Sequence, residues 1–125
     1  ERVAGVIADC GFTTPYEMIR IFAKKYFKTK EIEVADAVNC LCRKKAGYDL
    51  KECSTLEAMK SCRVPVFFAH GTEDMLVPYK MTVQNYETCV SEKWLFSAEG
   101  AAHTGSYLSD PERYMGELSD FFRWD

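Results

Sequence analysis

"PVFFAHGTEDMLVP", residues 65–78, decides how this chain is read. Val66 to Ala69 form an apolar run without alternation. His70 and Gly71 then open a short polar turn with Asp74 at its tip. A continuous apolar run closed by turn residues suits a parallel strand covered on both faces. "VAGVIAD" (3–9) and "KWLFSA" (93–98) are short and rich in β-branched or aromatic residues, so three fully buried strands are expected, over 3–9, 64–70 and 93–98.

Helical signals lie between and after them. In "TPYE" (14–17) Thr14 is placed to cap, Pro15 to open the helix and Glu17 to close a capping box. Met18, Ile19, Phe22, Ala23, Tyr26 and Phe27 then follow at helical spacing. "STLE" (54–57) repeats the capping pattern, Pro78 precedes a helix over about 79–90, and "DPE" (110–112) opens the last helix. That helix carries Tyr114, Met115, Leu118, Phe121 and Phe122 on one face. Such stripes are core-packing faces rather than cofactor sites. Residues 31–53 break the alternation: "VADAVNCLCRKKAGYDL" reads as a helix running into Gly47 as its stop, a cap-like insertion. Strand and helix alternating in this way imply βαβ units, hence an α/β protein with three layers, αβα, and about three parallel strands.

The composition narrows the function. The 125 residues suffice for one small domain, 47% hydrophobic and 28% charged as in soluble globular chains. No apolar stretch approaches the roughly 20 residues of a membrane helix, and the start shows no signal-peptide pattern. The net charge of −3 argues against nucleic acid as a partner. The basic clusters Lys24-Lys25 and Arg43-Lys44-Lys45 sit near expected helix ends, where they complement the dipole. Cys10, Cys40, Cys42, Cys53, Cys62 and Cys89 show no paired C-x-x-C spacing, so neither a metal site nor a disulfide framework is expected. They read as free thiols of a reducing, cytoplasmic compartment. No cofactor is implied.

Two groups could carry chemistry together. His103, one of only two histidines, lies in "EGAAHTGSY" just past the third strand, and Asp74 lies at the matching point past the second. Open α/β sheets place working groups at this carboxyl edge. A carboxylate that holds one imidazole nitrogen fixes the tautomer and stabilises the imidazolium, which is what a general base requires. An Asp in a turn is ordinary chemistry by itself, and so is a single histidine after a strand. Acid then histidine in successive strand-to-helix loops favours function.

These residues carry a resemblance. "VPVFFAHGTEDMLVP" followed by "EGAAHTGSYLSDPERYMGELSDFF" resembles the C-terminal half of a serine hydrolase of the α/β-hydrolase fold, near serine aminopeptidases, acyl-aminoacyl peptidases and small carboxylesterases. The opening "ERVAGVIADCGFTTPYEMI" and the stretch "GYDLKECSTLEAMKSCRVPV" resemble the strand after the nucleophile and the exit from the cap. The resemblance implies that Asp74 is the triad acid, His103 the triad histidine, and an ester, thioester or small peptide the substrate, cleaved through an acyl-enzyme. It also implies a nucleophilic serine in a G-x-S-x-G elbow, a motif that the sequence does not contain. Ser106 follows Gly105 but shares a loop with His103; Ser54, Ser61 and Ser97 lie on or beside other elements. A family domain runs to roughly 250 residues, so residues 1–125 are expected to be its second half, a fragment inactive alone.

Alternatives remain. Cys10 follows the first strand, so a self-contained Cys-His-Asp hydrolase like the dienelactone-hydrolase relatives is one, although the loop to Thr14 is long for a sharp elbow. Asp9 is the reserve acid. A non-catalytic interaction module is another alternative. His70 reads as a structural histidine bonding loop backbone. Met75, Leu76 and Tyr107 are candidates for the wall of an acyl pocket, and Val38, Leu41 and Tyr48 for shaping access from the cap. The expected partners are a small acyl ester or peptide substrate, and either the missing N-terminal half or a second copy at the strand 3–9 edge.

Overall fold

The computed structural model describes residues 3–28 and 30–123. In chain order the elements are β1 (Val6–Asp9), α1 (Pro15–Phe27), α2 (Glu31–Ala46), α3 (Thr55–Met59), β2 (Val66–Gly71), α4 (Tyr79–Thr88), β3 (Lys93–Ala98), α5 (Ser106–Ser109) and α6 (Pro111–Phe122). The strands form one parallel sheet in the order β1-β2-β3. The chain divides into two compact units: residues up to Gly11 with those from Leu56 onward, and the helical stretch Phe12–Thr55.

In the sheet unit, β2 is central and buried along its whole length. Its side chains alternate between two cores. Phe67 and Ala69 face Phe96, Ala98, Tyr114 and Leu118, with Phe121 and Phe122 packed against them. Val66 and Phe68 face Cys89, with Met59, Cys62 and Tyr86 alongside. Helices therefore cover both faces, giving the three layers expected. Phe67 and Phe96 are completely buried, and each contributes roughly 1.5–3 kcal/mol by leaving water.

The helical unit is α1 packed on α2 with the loop beyond. Thr14 Oγ1 accepts from Glu17 N at 3.0 Å, as its capping position requires, while the Glu17 carboxylate turns to Arg20 at 2.9 Å. Gly47 ends α2 in the left-handed region at φ 76°. Asn39 then pins the following loop, accepting from Leu50 N and donating to Asp49.

Several expectations need correction. β1 and β3 are not fully buried: Val6 and Ile7 are exposed, and β3 alternates between cover and exposure. The reason is position, since these strands are the two edges of the order β1-β2-β3. Trp94 of β3 accordingly lies half in solvent, its indole N–H donating to Glu117 at 2.7 Å. Tyr26 and Phe27 at the end of α1, and Met115 on α6, are exposed rather than core. The helix α4 stops at Thr88, and the short α5 was not anticipated. All six cysteines are free thiols. Among the described residues no helix is long and apolar enough to cross a membrane.

Candidate active site

The site grows from the carboxyl ends of the three strands. After β2 the turn is shaped by Asp74 itself: its Oδ1 accepts from Leu76 N at 2.8 Å and Val77 N at 2.9 Å. A short acid side chain bonding backbone two and three residues on is standard turn chemistry, and here it holds the carboxylate in place. The neighbouring loop after β3 is laced to this turn. Thr72 N bonds Ala98 O, Glu73 N bonds Ala101 O, and Gly100 N bonds Thr72 Oγ1. Gly71 allows the approach, because a Cβ there would overlap the Ala101 carbonyl oxygen.

The lacing delivers His103 to Asp74. His103 Nδ1 lies 2.7 Å from Asp74 Oδ2, with the carboxylate side chain fully covered and the imidazole one-third exposed. A carboxylate accepts, so Nδ1 carries the hydrogen of this bond. Burial raises the Asp74 carboxyl, but the bonds from His103, Val77 N–H and Leu76 N–H, with the His103 charge, outweigh it and hold Asp74 below its ordinary range. The pair is thus an ionised carboxylate holding a partly exposed imidazole.

From the β1 side a second set of bonds supports the same loop. Ser106 Oγ, fully buried, donates to Asp9 Oδ1 at 2.7 Å, and Thr104 N donates to Cys10 Sγ at 3.2 Å. Both Cys10 and Thr104 adopt positive φ, 54° and 59°, conformations that cost a side-chain-bearing residue energy and persist only where surroundings fix them.

No family model matches the chain. Among curated proteins it is 25% identical over 115 residues to the uncharacterized protein YqkD of Bacillus subtilis, covering 92% of this chain and 38% of that one. Among solved structures, an esterase of Pyrococcus furiosus aligns with a TM-score of 0.62 at 16% identity, over 98% of this chain and 46% of its own. The acylaminoacyl peptidase of Pyrococcus horikoshii matches with a TM-score of 0.62 at 16% identity, over 94% of this chain and 20% of its own. Mouse alpha/beta hydrolase domain-containing protein 10 gives 0.62 at 18%, over 98% and 53%. This chain is part of an α/β-hydrolase fold. It spans about half or less of the length of these relatives.

Within this partial hydrolase fold the other candidates take different places. Asp9 is at the end of β1, bound to Ser106 and Cys10 rather than to a histidine. Cys10 is 6% exposed and donates to Asp9 at 3.2 Å. Burial and the neighbouring Asp9 push its thiol up to about 11, against the lowering bond from Thr104. That state disfavours the thiolate, the form in which a cysteine is nucleophilic. Met75, Leu76 and Tyr107 are exposed beside the two loops, Met75 at 78%, and the Tyr107 ring meets Tyr114 edge-on at 5.7 Å.

Cys10, His70 and Asp74 gather with ligand-type atoms within 4.8 Å of one another. The protein's own groups already engage them: Thr104 N on the thiol, Val77 O and Thr82 on the imidazole, and two amides and His103 on the carboxylate. The cluster is a hydrogen-bond network. His70 and Thr82 in this network, and Ser106 on Asp9 beside it, are the residues that sequence reasoning did not assign to the site. The only available signal was a histidine four residues before the acid.

Proposed function

We propose that this chain supplies the acid and the base of a serine-type hydrolase, cleaving an ester, thioester or small amide through an acyl-enzyme. The observation that carries this reading is the 2.7 Å bond between His103 Nδ1 and the buried, ionised Asp74. In that arrangement His103 Nε2 takes the proton of an attacking hydroxyl and returns it to the leaving group, while Asp74 stabilises the imidazolium. Met75, Leu76 and Tyr107, exposed next to the two loops, contact the acyl group in this reading.

The hydroxyl comes from outside the 125 residues. Ser106 is committed to Asp9, and the sequence holds no elbow. We place the strand that carries the nucleophile on the outer edge of β1, where Ile7, Ala4, Gly5 and Phe122 line an apolar hollow and Val6 and Ile7 are exposed. Exposed apolar strand edges call for pairing.

Fluorophosphonate labelling, read by intact mass, tests the reading. The full-length protein is expected to gain one adduct on a serine outside these residues, and His103→Ala to slow the labelling by on the order of 10²- to 10⁴-fold. An adduct that forms at the same rate without His103 would overturn it.

A further inference from the structure

His103 is not the sole imidazole on the acid. His70, completely buried, directs Nε2 at Asp74 Oδ2 from 3.0 Å and at Val77 O from 3.0 Å. A carbonyl oxygen cannot donate, and an ionised carboxylate cannot either, so Nε2 carries the hydrogen and shares it between the two. On the other side Nδ1 meets Thr82 Oγ1 at 2.6 Å, and that hydroxyl lies 3.2 Å from Gly11 O. The Tyr79 ring stands edge-on to the imidazole at 5.8 Å. The ring is therefore held at both nitrogens and on its face.

Asp74 consequently receives four donors, two amides on Oδ1 and two imidazoles on Oδ2. The division of labour follows from geometry. The Leu76 and Val77 amides hold Oδ1, and Oδ2 is the oxygen that meets His103. His70 N–H adds a second, completely buried hold on that same oxygen and so restrains Oδ2 where His103 meets it.

We propose that His70, braced by Thr82, is a positioning residue that orients the acid Asp74 toward His103. This rests on the reading of Asp74 and His103 as the acid–base pair. It assigns His70 a part in the site beyond closing the turn through Val77 O, the work a merely structural histidine would do.

The test is proton NMR of this chain with labelled histidine, following the strongly deshielded Nδ1–H of His103 that a short bond to a carboxylate produces. Asp74→Asn is expected to abolish the signal. His70→Phe, which keeps ring bulk but has no donor, is expected to abolish or broaden it, and Thr82→Val to broaden it less. His70→Gln, which restores an N–H, is expected to recover it. In the full-length protein, His70→Phe is expected to slow fluorophosphonate labelling on the order of 10-fold, the scale at which outer partners tune an oriented histidine, with His70→Gln nearer the parent.

The outcomes separate. A signal missing from the parent chain, or unchanged in Asp74→Asn, overturns the acid–base reading and this inference with it. A signal lost in Asp74→Asn but unchanged in His70→Phe and Thr82→Val overturns the inference alone. Should His70→Phe fail to fold, Thr82→Val and His70→Gln decide: an unaltered signal in Thr82→Val, or no recovery in a folded His70→Gln, refutes it.

Discussion

Ser106 Oγ donates to Asp9 Oδ1 at 2.7 Å, joining residues 97 positions apart. The bond ties the end of β1 to the first turn of α5 and so fixes the far side of the loop that carries His103. Because the acceptor is a carboxylate, the bond belongs to the stronger class.

Ser106→Ala is therefore expected to destabilise the chain by about 1.5–3 kcal/mol. Urea unfolding of the two proteins measures it. Equal midpoints would show that the Asp9 bond contributes nothing to holding the loop.

The depressed Asp74 carboxyl makes stability depend on pH. The folded chain binds fewer protons at this group than the unfolded chain, whose carboxyl titrates at its ordinary 3.8. The stabilisation is complete well above 3.8 and is lost as pH falls below it through the folded value. Unfolding free energies of parent and Asp74→Asn, measured from pH 6 downward, should converge as acid removes the charge. A constant difference would contradict the linkage.

Cys10 should be the least reactive kind of thiol here. Its burial and its value near 11 predict slow alkylation in the native chain. The exposed Cys40 and Cys53 should label first. Timed iodoacetamide labelling with peptide mapping reads the order, and prompt modification of Cys10 would revive a thiol mechanism.

Gly71→Ala is expected to damage the site without touching a reacting group. The added Cβ meets the Ala101 carbonyl oxygen, which is backbone and cannot swing away. Overpacking of this kind costs about 1–3 kcal/mol, and relief requires the loop after β3 to move. Thermal unfolding and the His103 proton signal should both change. A stable variant with an unaltered signal would mean that the two loops are not held as closely as described.

The local code was legible wherever one residue type satisfies a requirement within a few positions. Thr14 with Pro15, Gly47, and Asp110 with Pro111 set helix ends as read, the Asp110 side chain accepting from Arg113 N at 3.1 Å. The unbroken apolar run of β2 announced its burial. The equivalent positions of Asp74 and His103 past neighbouring strands foretold that they could meet, because parallel strands bring their carboxyl ends to one edge.

What the sequence by itself determined is this set of short-range rules together with the strand–helix order, which suffices for the class of fold. Only the tertiary structure decided that β3 is the other edge and how far each edge strand opens to solvent, hence the exposure of Val6, Ile7 and Trp94. It alone seated His70 on the same carboxylate oxygen as His103, and Ser106 on Asp9. The physical reason is that hydropathy records whether a residue tends to leave water, while a hydrogen bond between distant residues depends on sheet register and loop path. No local pattern encodes those contacts.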